Sequence, residues 1–97
     1  MSRARAYKQE TLDVMGRFFQ AVEALIERGD IRGIQTYCRL HDIDKRHFYA
    51  QRDDLGRGLF EIAWLLPLVS DHGVSMNWLM FGKGAMFRPS ASKPVGK

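Results

Sequence analysis

The sequence predicts a compact all-α domain built from five helices. Apolar residues recur at spacings of three and four between positions 11 and 28, which is the pattern of one amphipathic helix. Farther along, glycine, aspartate and serine separate shorter apolar segments at intervals that suit short helices. The chain has 97 residues, 45% of them hydrophobic, which is enough for one core, and its single cysteine, Cys38, excludes an intramolecular disulfide.

The first predicted helix spans 11–28 and ends at Gly29, which can adopt the left-handed C-cap conformation. The second spans 34–41, and the third spans 45–52 behind Asp44 as its N-cap. The fourth spans 59–71 and contains Pro67, which is expected to bend or interrupt it. One side of this fourth helix is predicted to carry Leu59, Ile62, Ala63, Leu66 and Val69, with Trp64 and Leu65 extending the apolar surface.

The fifth predicted helix begins after the capping residue Ser75, runs to residue 80 or 81 and ends at the glycines of 82–84. The formal charge of +4 lies in the two termini, so that residues 9–82 are mildly acidic. We therefore divide the chain into a flexible basic arm (1–8), a folded domain (9–87) and a basic tail rich in proline and serine (88–97), which is predicted to be disordered.

Several function classes are not expected from this composition. No apolar run approaches the roughly 18 residues of a membrane span, and no apolar stretch follows the basic N-terminus as in a secretory signal. Cys38, His41 and His47 do not supply the four ligands of a zinc site at suitable spacing, so neither a metal nor another cofactor is predicted. The sequence shows no catalytic constellation, so we expect neither an enzyme nor a small-molecule substrate.

The segment 34–53 carries the functional signal. Two short helices joined by about three residues must cross steeply, and they need a small residue where they approach. Cys38 supplies it, while Ile43 and Phe48 supply apolar contacts; the three stand at the fifth, tenth and fifteenth places counted from Ile34. This spacing resembles the helix-turn-helix of the lambda-repressor-like family, with Asp42 at a ninth place that commonly holds glycine in that family.

A second segment, residues 73–84, looks like the closing helix of phage repressor N-terminal domains, where a Val-Ser-x-x-Trp-Leu-Leu-x-Gly-x-Gly string is frequent. The two matches together cover residues 31–84. The resemblance implies a five-helix repressor-like fold, a bacterial or phage-encoded cytoplasmic protein associated with the nucleoid, and a homodimer on double-stranded DNA. In such a dimer the two reading helices would lie about 34 Å apart, one turn of DNA.

The predicted function is that of a sequence-specific, repressor-like transcriptional regulator that reads the major groove with the helix near 44–52. The predicted base-reading residues are Asp44, Lys45, Arg46, Tyr49 and Ala50. Phosphate contacts are expected from Arg32, Gln35, Thr36 and Arg52, and arm contacts from Arg3 and Arg5. Three of these residues keep a second interpretation: Lys45 and Arg46 as a solvated helix start, and Tyr49 as a ring packed on the helix end. Asp44 could accept a hydrogen bond from N4 of cytosine, but its role as N-cap competes with that contact.

The C-terminal apolar residues leave two alternatives open. Either they form the dimer contact or they complete the core; they are Trp78, Met80, Phe81, Met86 and Phe87. The alternative function is a protein-interaction module that keeps the helix-turn-helix scaffold, binds another protein through exposed Met and Phe residues, and has no specific DNA binding. The mildly acidic balance of residues 9–82 favours that alternative.

Overall fold

A computed structural model describes residues 7–89, which form five α-helices and no β-strand. In chain order these are α1 (Gln9–Glu27), α2 (Ile34–Leu40), α3 (Lys45–Asp53), α4 (Ile62–Ser70) and α5 (Met76–Phe81). The predicted five-helix, all-α architecture is confirmed. No helix in this part of the chain is long and apolar enough to cross a membrane. The predicted arm contacts Arg3 and Arg5 and most of the predicted tail lie outside the described residues.

Helix α1 is the scaffold against which the other elements pack. Its amphipathic pattern buries one face, formed by Met15, Phe18, Phe19, Ala21, Val22 and Leu25. The fully buried ring of Phe18 lies at the centre of an aromatic cluster, with ring centroids between 4.9 and 6.2 Å away. Its neighbours come from α1, α2, α3, α4 and the segment before α4: Phe19, Tyr37, Phe48, Trp64 and Phe60. One cluster of rings therefore joins four of the five helices.

Helices α2 and α3 are separated by four residues, 41–44. The three residues expected to hold the pair together, Cys38, Ile43 and Phe48, are all buried in the core. Asp42 adopts a left-handed conformation with φ of 58°, which aspartate tolerates better than most residues. The N–H of Ile43 donates to the carbonyl of Cys38 at 2.9 Å. The connection therefore turns sharply at Asp42 and returns an apolar side chain to the core.

The prediction for α4 is wrong in its start and in its inward face. The helix begins at Ile62, and it buries Trp64, Leu65 and Leu68. The predicted inward residues Ile62 and Leu66 are 63% and 52% exposed. Ala63 is also exposed, and Leu59 and Val69 are half-buried. Because almost every position of α4 is apolar, periodicity does not select one face, and the large Trp64 ring, which stacks on Phe48 at 5.9 Å, determines the rotation.

Pro67 was expected to bend or interrupt this helix, and the interruption is absent, since α4 continues through this residue to Ser70. Proline lacks the N–H that would donate to the carbonyl of Ala63, one turn earlier. Ala63 lies on the exposed side of the helix, where water can satisfy its carbonyl group. The cost of the missing hydrogen bond is therefore small enough for the helix to persist.

Helix α5 is capped as predicted and is held against α1. The Ser75 hydroxyl accepts from the N–H of Trp78 at 3.3 Å, and Gly82 ends the helix in a left-handed conformation with φ of 69°. The Arg17 guanidinium donates to the carbonyls of Leu79 and Met80 at 2.7 and 3.0 Å. These are carbonyls in the last turn of α5, which have no partner within the helix. A side chain of α1 thus completes the C-terminal end of α5.

Candidate nucleic-acid interface

The N-terminal end of α3 begins at Asp44, whose carboxylate caps the helix. Its Oδ1 accepts from the backbone N–H of Arg46 at 2.9 Å and of His47 at 3.5 Å. The hydrogen bond from Arg46 is the main reason that the pKa of Asp44 lies below its usual range. The carboxylate is therefore ionised at neutral pH and is occupied by the helix, so its predicted contact with cytosine competes with its capping role.

Lys45 and Arg46 follow the cap and extend into solvent. The Arg46 side chain is 87% exposed, and its Nε lies 3.7 Å from the Asp44 carboxylate. An ion pair that is exposed to this extent is weak and easily exchanged for another anion. Cations at a helix N-terminus also oppose the helix dipole, so their position is not explained by the stability of α3. This end of α3 therefore offers two accessible cations on a fixed helix start.

The next turn of α3 carries Tyr49, Ala50 and Arg52. Tyr49 and Ala50 are half-buried. The Tyr49 ring meets the Phe48 ring edge-on at 6.2 Å, and the Arg52 guanidinium lies 4.9 Å from its centroid. Arg52 also lies 3.5 Å from the Asp53 carboxylate. Tyr49 therefore packs on the helix, as its second interpretation states, and Arg52 is less available for phosphate than Lys45.

The start of α2 carries the remaining predicted phosphate residues. Arg32 and Gln35 are exposed, and Thr36 is half-buried. The backbone N–H of Thr36 donates to the carbonyl of Gly33 at 3.1 Å. This amide therefore already has a partner inside the turn and is not available to a phosphate. The hydroxyl of Thr36 and the side chains of Arg32 and Gln35 are what this end can offer.

An open depression of about 260 Å³ lies between α2 and α3. Cys38 and Ile43 line it with apolar surface, while Gln35, Arg39 and Lys45 line it with polar groups. Within residues 7–89, neither Arg39 nor Lys45 makes an ion pair. Burial raises the pKa of the Cys38 thiol, so this group stays protonated and acts as packing. Arg39 was missed by sequence reasoning, although its position four residues after Gln35 puts both on one side of α2.

The five predicted dimer residues separate into two groups. Trp78, Met86 and Phe87 pack against the core. Phe87 pairs with Val74 in an isolated antiparallel bridge, and the Arg28 guanidinium lies 3.9 Å from its ring centroid. These three residues complete the core, which was one of the alternatives. Met80 and Phe81 are 36% and 69% exposed.

The exposed Met80 and Phe81 are joined by Met76, which is 56% exposed and was not predicted. The chain after α5 is also tied to the domain. The carbonyl of Met86 accepts from the N–H of Ser75 at 2.8 Å, and the N–H of Arg88 donates to the carbonyl of Gly73 at 2.9 Å. The exposed apolar surface of α5 consists of Met76, Met80 and Phe81, as their exposed fractions show.

No protein-family model, curated protein or solved structure matches this chain.

Two further arrangements were missed by sequence reasoning. Gln51 is fully buried on α3, where its amide nitrogen donates to the Leu55 carbonyl at 2.6 Å and its amide oxygen accepts from the Leu59 N–H at 2.7 Å. It thereby holds the loop between α3 and α4. The second arrangement is a contact between His41 and His72, whose Nε2 atoms lie 3.0 Å apart. The hydrogen-bond partners of Gln51 are close in the chain, but its burial depends on α1, where the Met15 sulfur lies 3.3 Å from its amide nitrogen. The contact between His41 and His72 likewise joins distant parts of the chain, so neither arrangement has a local sequence signal.

Proposed function

We propose that this protein is a sequence-specific, repressor-like regulator that inserts the N-terminal end of α3 into the major groove of double-stranded DNA. The observation that supports this most is the exposure of Lys45 and Arg46 at the start of a helix. That helix is fixed at both sides of them, by the Asp44 cap and by the buried Phe48 ring. An α-helix fits the major groove, and side chains at its beginning reach base edges.

Each side chain then has a defined role. Arg46 offers a guanidinium fork that matches O6 and N7 of guanine, and Lys45 donates to the same acceptors. Arg39 and Gln35, on the α2 side of the depression, contact the phosphate backbone and set the orientation of the domain. Between positions 32 and 52 there are five Lys or Arg residues and two Asp residues, so this segment is locally cationic within a mildly acidic domain.

The same proposal includes a homodimer that is encoded by a bacterium or a phage and acts in the bacterial cytoplasm, in association with the nucleoid. A two-fold dimer would put two copies of α3 about 34 Å apart and would bind half-sites separated by one turn of DNA. The exposed surface of Met76, Met80 and Phe81 supports a contact between two copies, since burying large apolar side chains favours association. This surface equally supports the alternative, a module that binds another protein and does not read DNA.

Salt dependence separates the two functions. Binding to DNA releases counterions and therefore weakens steeply as salt rises, whereas an apolar contact between proteins does not. A duplex selected from a random pool supplies the ligand, and its dissociation constant is measured at low and moderate salt. A palindromic selected site would support the dimer as well.

The decisive variant is Lys45→Ala with Arg46→Ala. Base contacts of this kind contribute about 1–3 kcal/mol each, so we expect the dissociation constant for the selected site to rise about 30-fold or more. The far-ultraviolet circular dichroism and the Tm should stay near those of the parent, because both side chains are exposed. As a matched control, Lys83→Ala with Arg88→Ala removes the same charge outside α2 and α3. A double variant that binds the selected site as tightly as the parent would show that α3 is not the reading helix.

A further inference from the structure

Two of the three histidines in the chain are distant in sequence but in contact in the fold. His41 is the C-cap of α2, and His72 lies in the turn between α4 and α5. Their Nε2 atoms are 3.0 Å apart and both residues are half-buried. Hydrogen bonds hold the backbone at both residues: the N–H of His41 donates to the Tyr37 carbonyl at 3.1 Å, and that of His72 donates to the Pro67 carbonyl at 3.2 Å.

The two histidine rings pack against the buried ring of Tyr37. The Tyr37 ring lies 4.6 Å from the His41 ring and 5.7 Å from the His72 ring. The Tyr37 hydroxyl donates to the carbonyl of Trp64 at 2.7 Å, so the Tyr37 side chain is hydrogen-bonded to α4. The pair and Tyr37 thus connect α2 to α4 and to the turn that follows it.

A distance of 3.0 Å between two imidazole nitrogens requires one proton between them. A neutral imidazole has one N–H donor and one acceptor nitrogen, so one ring donates from Nε2 and the other accepts at Nε2. When both rings are protonated, both Nε2 atoms carry hydrogen and both rings carry positive charge. The contact then becomes repulsive and the hydrogen bond is lost.

We propose that His41 and His72 form a proton-sensitive latch, which holds the end of α2 against the α4–α5 turn at neutral pH and opens under mildly acidic conditions. His41 immediately precedes the turn at Asp42 that leads into α3. Opening the latch therefore loosens the segment that orients Lys45 and Arg46. This consequence for DNA binding rests on the proposed function, whereas the latch itself does not.

The charged groups around the pair agree with this behaviour. Burial and the neighbouring His41 both lower the pKa of His72, and burial has the larger effect. Asp71 at the end of α4 and Asp30 in the α1–α2 connection act in the opposite direction. Asp30 already has a cationic partner in Arg28, at 3.2 Å, and Asp71 accepts a hydrogen bond from the Ser70 hydroxyl at 3.1 Å. The net direction for His72 is downward.

The sign of the pH effect follows from this direction. The unfolded chain binds a proton at His72 more readily than the folded domain does, so the free energy of unfolding decreases as pH falls. The contribution of the latch is complete above the ordinary histidine pKa of about 6.5. It is lost as pH falls through the lowered pKa of His72.

A metal ion bridging the two rings is the alternative, and the ring geometry disfavours it. The ring centroids are 5.2 Å apart, close to the largest separation that a 3.0 Å contact between nitrogens permits, so the rings meet nearly head-on. A bridging ion would need both lone pairs to converge on one point about 2.0–2.1 Å from each nitrogen. Within residues 7–89, no group of three or more potential ligands surrounds the pair.

The latch is tested directly by nitrogen-15 NMR of the three histidine rings at about pH 7.5. We expect one of the two paired rings in the Nε2–H tautomer and the other in the Nδ1–H tautomer. The same tautomer in both rings would overturn the proposal, because the two Nε2 atoms would then both carry hydrogen or both lack it, and neither case gives a hydrogen bond. Added Ni²⁺ provides the competing result: a metal-dependent rise in Tm that is absent without the two histidines would reassign the pair as a metal site.

Thermal unfolding measures the effect of the latch on stability. The variant His41→Gln with His72→Gln keeps amide groups that can hydrogen-bond and removes both titrating rings. Between about pH 7.5 and about pH 5, we expect the Tm of the parent to fall by about 4–8 °C more than that of the double variant. His47→Gln is the matched control, since His47 is the third histidine and is exposed. The Tm of this variant should fall by as much as that of the parent. Equal falls in parent and double variant would overturn the latch.

Binding of the selected duplex separates this proposal from the proposed function. We expect acidification to weaken binding of the parent at least about fivefold more than binding of the double variant. The absence of DNA binding at every pH would contradict the proposed function while leaving the tautomer and Tm results as tests of the latch. Binding with equal pH dependence in both proteins would refute the coupling of the latch to α3.

Discussion

Helices α3 and α4 are both nine residues long and contact each other through the stacked rings of Phe48 and Trp64, but their exposed faces differ in chemistry. Helix α3 buries only Phe48 and Gln51, and its exposed side chains are mostly charged. Helix α4 buries three large side chains, Trp64, Leu65 and Leu68, and exposes two more apolar ones, Ile62 and Leu66.

This difference shows when a pattern of residue types can specify a face. In α3 a few apolar residues stand among charged ones, so only one rotation of the helix buries the apolar residues and leaves the charges in water. In α4 every rotation buries apolar surface, so the choice depends on which side chains fit the neighbouring rings. The exposed surfaces differ for the same reason: α3 presents mostly charged side chains, whereas α4 presents the apolar side chains of Ile62 and Leu66.

The comparison is tested most strongly by truncating one core residue in each helix. Phe48→Ala should lower the free energy of unfolding by about 3–5 kcal/mol, and Leu68→Ala by about 2–5 kcal/mol, because both side chains are essentially inaccessible to solvent. Leu66→Ala is the matched control within α4 and should change the free energy of unfolding by no more than about 0.5 kcal/mol. Urea denaturation measures all three. A large loss in Leu66→Ala with a small one in Leu68→Ala would reverse the assigned face of α4.

A smaller effect is expected where the two helices are joined. Gln51→Ala leaves the Leu59 N–H and the Leu55 carbonyl without their partner, which should lower the free energy of unfolding by about 1–3 kcal/mol. Gln20→Ala, at an exposed position of α1, removes the same amide and should be nearly neutral. Hydrogen exchange should accelerate at Leu59 in Gln51→Ala. Unchanged exchange there would mean that Gln51 does not hold the loop.

The smallest effect concerns the cap of α3. At neutral pH we expect the Tm to decrease from the parent to Asp44→Asn to Asp44→Ala, because asparagine keeps an accepting oxygen and alanine does not. The folded pKa of Asp44 is lowered, so the parent's advantage over Asp44→Asn exists above the ordinary pKa of about 3.9 and is lost as pH falls through the lowered value. Thermal unfolding at several pH values checks this. A constant difference at all pH values would contradict a role for the charge.

The sequence alone determined those features that depend on neighbours along the chain. The stripe of α1, the caps at Asp44 and Ser75, and the end of α5 at Gly82 are local, because each depends on side-chain spacing or on a single backbone conformation. The burial of Cys38, Ile43 and Phe48 was also predictable, since apolar residues in a polar segment have one place to go. The exposed Lys45 and Arg46 follow from the same contrast.

Tertiary structure alone decided the rotation of α4, the burial of Gln51, the contact between His41 and His72, and the division of the predicted dimer residues into core and surface. Each of these depends on a partner from a distant part of the chain. Residue type limits what such a side chain can contact, but packing selects the partner. An apolar or hydrogen-bonding group is satisfied equally well by several kinds of neighbour, and only the assembled core leaves one of them within reach.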